Sequence, residues 1–166
     1  IIGKRLDLNE IVNSIDMGHK AGIMVHTNFM MGFPFETQEH RDKTIKFAKS
    51  LKSDSFSVSL VAPLPGTKLY EIVKKNNLFM PNFNVSRIVF DVVNITPFDI
   101  SAEDLLSLVK SLNRELNAMA LKNNPKLSEH YDLIKNKEIT DRKYQFADDK
   151  KLVVKSQAQH GSVVPS

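Results

Sequence analysis

Alternating and continuous apolar segments predict two strands in the first half of the chain. Residues 55–62 alternate serine with large apolar side chains, which predicts a strand with one oily face and one hydroxylated face. Residues 23–31 are rich in β-forming types and too short for a helix, so we expect a second strand, buried on both sides. One of its faces carries His26, Asn28 and Met30.

Apolar residues at 3.6-residue spacing predict helices around these strands. The spacing predicts helices over residues 8–20 and 38–52, a short helix after Thr67, and the longest helix after Ser101. Asp7, Thr37, Thr67 and Ser101 have side chains suited to cap the helices that follow them. A third strand is expected over residues 85–93 and a short helix near residues 126–135, and the polar residues from Thr140 onward predict a loosely held tail.

This order of elements predicts an α/β fold. Strands that alternate with helices form parallel sheets, so we expect a partial (β/α) barrel with parallel strands, outer helices and a C-terminal helix. The predicted domains are residues 1–122, the barrel part with its closing helix, and residues 123–166, a short helix and a flexible polar tail.

Composition narrows the function classes. The 166 residues have a formal net charge of +4 and include no cysteine, which excludes disulfides, thiolate metal sites and thiol nucleophiles. Lysines alternate with carboxylates, so we predict a solvated surface and no nucleic-acid partner. No apolar run approaches the roughly 18 residues of a membrane span, and we expect no membrane partner and a cytoplasmic location.

No catalytic residue and no metal ligand is predicted from the residues alone. His19, His26 and His40 form no i, i+4 pair with a carboxylate of the kind that binds zinc. Ser55, Ser57 and Ser59 have no base nearby in the sequence and no GxSxG turn around them, and strand alternation explains them adequately.

The most informative motifs follow the two strands. The first is MMGFPFET at residues 30–37, and the second is SVSLVAPLPGTKLY at residues 57–70. In parallel sheets, ligands gather at the carboxyl ends of the strands, where both motifs lie. In this order and spacing, over about residues 1–116, the chain resembles the late half of the radical S-adenosylmethionine barrel, most closely its cobalamin-binding-type branch.

This resemblance implies a set of cofactor-binding residues. Two family motifs match in part: GxIxGxxE on one strand, where asparagine replaces the first glycine and methionine replaces the isoleucine, and P-x-P-G-T after the next strand, with a valine beside the expected adenine edge. Phe35 stands where the family has a glycine, so it is strained if that position needs a positive φ. The residues that the resemblance assigns to S-adenosylmethionine are Asn28, Met30, Gly32, Glu36, Ser59, Val61 and Pro63.

Simpler interpretations of these residues remain open. Glu36 lies near the start of a helix, where a carboxylate is stabilising by roughly 0.3–1 kcal/mol without any catalytic duty. Asn28 is as well explained by a buried polar neighbour as by a ribose hydroxyl. Met30 is a core residue if the resemblance is set aside.

By resemblance, the chain is a C-terminal fragment of a radical S-adenosylmethionine enzyme, or a natural degenerate relative of one. The parent protein would bind a [4Fe-4S] cluster through three cysteines, bind S-adenosylmethionine, and in part of the family use cobalamin. Because those cysteines are absent here, the chain alone is expected to be inactive. It would contribute the adenine side of the S-adenosylmethionine pocket and part of the substrate lumen.

Two further expectations concern the partners of the chain and an alternative function. The predicted sheet has open edges, so we expect it to associate with a missing N-terminal barrel half or with another copy of the chain. The alternative function is a non-catalytic α/β interaction module on a barrel-derived scaffold. The sequence specifies neither the small-molecule substrate nor the reaction outcome.

Overall fold

Two parallel strands form the centre of the fold. The computed structural model of the protein describes residues 7–81, 83–87 and 90–127. Strand β1 (His26–Met31) pairs with strand β2 (Ser55–Leu60), with His26 opposite Ser55 and Met31 opposite Leu60. Strand β2 shows the predicted alternation, because its apolar side chains are buried and its serines are half-buried. The mixed α/β class is therefore confirmed, whereas the described residues do not show a partial barrel.

The described residues contain four α-helices, which begin where the sequence predicts. The Asp7 side chain accepts from the Asn9 N–H, and Thr37, Thr67 and Ser101 each cap the helix that follows. These short polar side chains satisfy backbone N–H groups that have no partner inside a helix. The helices are α1 (Leu8–Lys20), α2 (Gln38–Ser50), α3 (Lys68–Lys75) and α4 (Ala102–Asn123).

The third strand predicted over residues 85–93 is wrong in its described part. The Asn84 side chain accepts from the Ser86 N–H at 2.9 Å, and the chain turns into a short 3-10 helix, Val85–Arg87. Such a side-chain bond offers the backbone an alternative to a strand ladder. Residues 88 and 89 lie outside the described residues. Within the predicted range, the Phe90 carbonyl accepts from the Leu60 N–H of strand β2 at 3.1 Å, and just beyond it an isolated antiparallel bridge joins Phe79 and Ile95.

Strand β1 also differs from its prediction, because only one of its faces is covered. On the covered side, Met31 is fully buried and the Phe29 ring meets the Phe47 ring edge-on, at a centroid distance of 6.3 Å. On the other side His26, Asn28 and Met30 are exposed. The expectation of burial on both faces is therefore wrong, because the described elements cover this sheet on one side.

The core lies between the sheet and helix α4. A continuous stripe along that helix packs against the buried side of β2, as its spacing predicts. The stripe consists of Leu105, Val109, Leu112, Leu116 and Ala120, which are all at most 5% exposed.

Helix α4 also covers the outer edge of strand β2. The Asn113 side chain accepts from the Val58 N–H at 2.8 Å and donates to the Val58 carbonyl at 2.7 Å. One turn later, Asn117 makes the same pair of bonds with Phe56, both at 2.9 Å. The two amides occupy the place of a neighbouring strand, so helix α4 blocks sheet growth on this side.

The chain divides into two compact units, Ile1–Asn124 and Pro125–Ser166. Only the 3-10 turn Pro125–Leu127 is described in the second unit, so most of the predicted helix at 126–135 and the predicted tail lie outside the described residues. The domain boundary near residue 122 stays a prediction. Among the described helices, none is both long enough and apolar enough to cross a membrane.

A buried carboxylate joins helix α1 to the start of strand β2. Asp54 is 8% exposed, accepts from the Val25 N–H at 2.8 Å, and lies 2.9 Å from His19 Nε2. Burial acts to raise the pKa of Asp54, but the bonds from Val25 and His19 outweigh it and hold that pKa below its usual range.

This lowered pKa predicts acid sensitivity. A carboxyl group whose pKa is lower in the folded state stabilises the fold above its unfolded pKa of about 3.9, and loses that contribution as the pH falls through the folded value. We expect the free energy of unfolding, measured by urea titration, to fall below about pH 4, and Asp54→Asn to flatten this part of the profile. Asp42→Asn, at an exposed position on α2, is the control. Identical profiles for wild type and Asp54→Asn would contradict the prediction.

Candidate functional site

An apolar groove lies at the carboxyl ends of the two strands. Its volume is about 320 Å³. Its polar rim includes Thr67 and Lys68 at the start of helix α3. Concave, mostly apolar pockets with a few polar groups are typical of small-molecule sites, and the carboxyl end of a parallel sheet is where they occur. The apolar lining is Met30, Phe33, Val61, Ala62, Leu64, Leu69 and Phe90.

The turn between β1 and α2 borders this groove. It begins at Gly32, whose φ of +87° is in the left-handed region that favours glycine. The Gly32 N–H donates to the Glu36 carboxylate at 2.8 Å, and the Glu36 N–H donates to the Phe33 carbonyl at 3.1 Å. Burial raises the pKa of Glu36, although the Gly32 N–H and the Arg41 charge act against it. Glu36 therefore closes the turn.

A buried arginine anchors the same turn to the segment before helix α4. Arg41 is 4% exposed, donates to the Glu36 carbonyl at 3.0 Å, and pairs with Asp99 at 2.7 Å. Asp99 also accepts from the Gln38 N–H at 2.7 Å. The Arg41 hydrogen bond and the Gln38 N–H hold the pKa of Asp99 below its usual range. This network makes the turn a rigid border of the groove.

Phe35 has the positive φ that was expected to strain it if the turn required this conformation. Its φ is +62°, and its side chain is 49% exposed, with its ring edge-on to Phe98 at a centroid distance of 6.5 Å. A non-glycine residue with positive φ costs about 1–2 kcal/mol, so the surrounding turn determines this conformation.

The structure brings together only part of the predicted cofactor-binding set. Met30 and Val61 both line the groove, and Ser59 is paired with Met30 across the sheet. Asn28 lies on the same open face, one pair further down. Pro63 is fully buried and does not line the groove.

Gly32 lies against the core. A Cβ placed there would meet the Leu105 and Leu60 side chains at 3.3 and 3.5 Å, which are core atoms. The absent side chain therefore makes room for the core. None of these observations tests whether the predicted set binds a cofactor.

The sheet also creates a contact that no sequence pattern predicted. His26 Nδ1 lies 2.6 Å from the Ser55 hydroxyl, and His26 Nε2 lies 3.2 Å from the Asn28 side-chain oxygen. The histidine and the serine are 29 residues apart but opposite each other across the two strands. The sequence indicated only that both residues lie on polar faces of neighbouring strands. The contact itself depends on the register of β1 and β2.

A second groove lies at the opposite end of strand β2. It has a volume of about 470 Å³ and is lined by His19, Lys52, Ser53, Asp54 and Asn123, among others. Several of these polar groups already bond to one another or to the backbone, as Asp54 does with His19 and Val25. Because ligands of parallel sheets bind at the carboxyl ends of the strands, we take the apolar groove as the candidate site.

Comparison with known proteins finds two partial matches. The chain is 37% identical over 79 residues to "Uncharacterized methyltransferase PH0819" from Pyrococcus horikoshii, which covers 48% of this chain and 17% of that protein. It is 29% identical over 69 residues to "Uncharacterized methyltransferase sll1242" from Synechocystis sp., which covers 42% of this chain and 13% of that protein. The chain thus matches under a fifth of either relative's length. No protein-family model matches the chain.

These matches correct the function predicted from the sequence. Both relatives are named methyltransferases, and neither name points to the radical S-adenosylmethionine family, so the assignment to that family is wrong, as is the function of a radical-enzyme fragment. The predicted [4Fe-4S] cluster and cobalamin find no support. Among the described residues, no three His, Asp or Glu side chains lie together in a way that could hold a metal ion. The motifs behind the wrong assignment are glycine and proline turns after strands. Such turns satisfy local backbone requirements that many α/β proteins share, so they do not identify one family.

Proposed function

We propose that this chain is part of an S-adenosylmethionine-dependent methyltransferase and that its apolar groove contacts the adenosyl part of the cofactor. The observation that carries the proposal is the groove itself, at the carboxyl ends of two parallel strands, in a chain similar to two proteins named methyltransferases. When bound, S-adenosylmethionine would supply an electrophilic methyl group on its sulfonium.

The residues of the groove suit an adenosyl group. Met30 is 43% exposed and presents a polarizable apolar side chain, and Phe33 and Val61 add apolar surface for the flat face of a purine. Lys68 at the rim can donate hydrogen bonds to polar groups of the ligand, whereas the Thr67 hydroxyl already donates to the Leu64 carbonyl at 2.7 Å. A volume of about 320 Å³ lies at the lower end of the range for small-molecule pockets, which suits the adenosyl part alone.

The rest of the pocket would come from a segment paired with strand β1. Helix α4 blocks the outer edge of β2, whereas the outward backbone groups of His26, Asn28 and Met30 make no hydrogen bond to another part of the described residues. The open edge of β1 is thus where further sheet would add. We propose that in the longer protein another part of the chain, or a second copy, completes the pocket here and extends the sheet toward a barrel.

Isothermal titration of the chain with S-adenosylmethionine tests this function. We expect Met30→Glu to weaken binding at least about tenfold, roughly 1.4 kcal/mol, because it places a carboxylate without a partner against the apolar face of the ligand. Met17→Glu is the matched control, since it makes the same change at a 68% exposed position on helix α1.

Two outcomes would contradict the proposal. One is a wild-type chain that takes up no S-adenosylmethionine. The other is a Met30→Glu variant that binds as tightly as wild type while circular dichroism shows an intact fold.

A further inference from the structure

The open face of the sheet holds a hydrogen-bonded chain of three side chains. Asn28 Oδ1 can only accept a hydrogen bond, so the 3.2 Å contact requires the hydrogen on His26 Nε2. His26 Nδ1 then carries a lone pair, and the Ser55 hydroxyl donates to it at 2.6 Å. The order is therefore hydroxyl, imidazole, amide oxygen.

This order matches the physical requirements of nucleophilic catalysis. A serine hydroxyl is a weak nucleophile until a base within about 2.6–3.2 Å takes its proton, and the base works best when a third group orients it. His26 meets the distance requirement, and Asn28 supplies the orientation. The same logic of nucleophile, base and orienting group recurs on unrelated folds, with either a carboxylate or an amide as the third member.

The surroundings leave the group accessible. His26 and Asn28 are exposed and Ser55 is half-buried, on the side of the sheet that the described elements do not cover. Strand register places Asn28 opposite Ser57 and Met30 opposite Ser59, so the face continues as neutral hydroxyl, amide and thioether groups. A face without a formal charge suits a neutral polar substrate better than an anion or a cation.

We propose that Ser55 is an activated nucleophile for acyl transfer, with His26 as its general base and Asn28 as the residue that positions the imidazole. Ser55 Oγ attacks the carbonyl carbon of a small neutral ester, and its proton passes to His26 Nδ1. The imidazolium then gives that proton to the departing alcohol oxygen as the ester C–O bond breaks. Water hydrolyses the acyl-serine by the same path.

This activity is independent of the proposed methyltransferase function. The reactive group lies four residues before Met30 on β1, about 13 Å along the strand, so it does not share the apolar groove. A chain that fails to bind S-adenosylmethionine could still carry a reactive Ser55.

The test is covalent labelling of the full chain with a fluorophosphonate probe, read by peptide mass spectrometry. We expect the label on Ser55, with a rate that falls at least about 100-fold in His26→Gln, the usual scale for loss of a general base. Asn28→Leu should also slow labelling. Asn28→Asp should accelerate it, because a carboxylate stabilises the imidazolium better than an amide does, and a merely structural Asn28 would not have this effect.

Ser57 provides the internal control, since it is a half-buried hydroxyl on the same face, two residues away. Ser55 should label much faster than Ser57, and Ser57→Ala should leave the Ser55 rate within about twofold of wild type, given a typical surface effect below about 0.5 kcal/mol. Equal labelling of the two serines, or a Ser55 rate that is the same with and without His26, would overturn the proposal. Histidine ¹⁵N NMR gives a second readout, because a hydrogen on Nδ1 in place of Nε2 of His26 would also overturn it.

Discussion

Replacing both Asn113 and Asn117 with leucine should remove a large share of the protein's stability. Each asparagine satisfies the N–H and the carbonyl of one buried residue on strand β2, Val58 and Phe56 respectively. A buried backbone group that loses its partner costs about 1–3 kcal/mol, so each single substitution, which leaves two such groups, should lower the free energy of unfolding by roughly 2–6 kcal/mol. The double variant then loses a large share of the roughly 5–15 kcal/mol that stabilises an ordinary domain.

Urea unfolding followed by circular dichroism measures this effect. Ser111→Leu, on the exposed side of the same helix, is the control that adds leucine without removing an edge bond. Asn113→Asp separates the two halves of the contact, because aspartate can still accept from the Val58 N–H but repels the Val58 carbonyl. A double variant with the same urea midpoint as Ser111→Leu would show that these amides do not hold the strand edge.

Gly32→Val should destabilise the protein by roughly 2–5 kcal/mol. The backbone there has a φ of +87°, which costs a side chain about 1–2 kcal/mol. In addition, a Cβ would lie 3.3 Å from Leu105 and 3.5 Å from Leu60, both at most 1% exposed, and overpacking of this kind costs about 1–3 kcal/mol.

Gly66→Val is the matched control for this prediction. Gly66 has a similar φ of +80°, but a Cβ there would meet nothing within 4 Å. Thermal unfolding of the two variants should therefore differ by the packing part alone, with Gly66→Val about 1–3 kcal/mol more stable than Gly32→Val. Equal loss in both variants would mean that the Leu105 side chain moves aside without cost.

The sequence predicted the polar face of strand β2 but not the contact between Ser55 and His26. The alternation along β2 predicted that Ser55, Ser57 and Ser59 share one face, and His26 was assigned to the neighbouring strand. Their contact depends on the register of two strands that helix α2 separates in the chain. Periodicity carries no information about register between distant segments, so the sequence alone left Ser55 without a base.

Local physical rules allowed most of the helices and strand β2 to be determined from the sequence. Side-chain caps at Thr37, Thr67 and Ser101 act on backbone groups two or three residues away, and the stripe of α4 repeats within one helix. The predicted strand at 85–93 failed where a local bond from Asn84 competed with β-propensity.

Only the tertiary structure decided which polar residues have structural partners. Asn113 and Asn117 lie four residues apart on a helix and are compatible with a solvated position, yet they close a strand edge 55 to 61 residues away in the chain. Asp54 and Arg41 are likewise buried because distant segments supply His19 and Asp99 as their partners. The physical reason is that periodicity and capping act within a few residues, whereas these hydrogen bonds and ion pairs exist only after the chain has brought distant segments together.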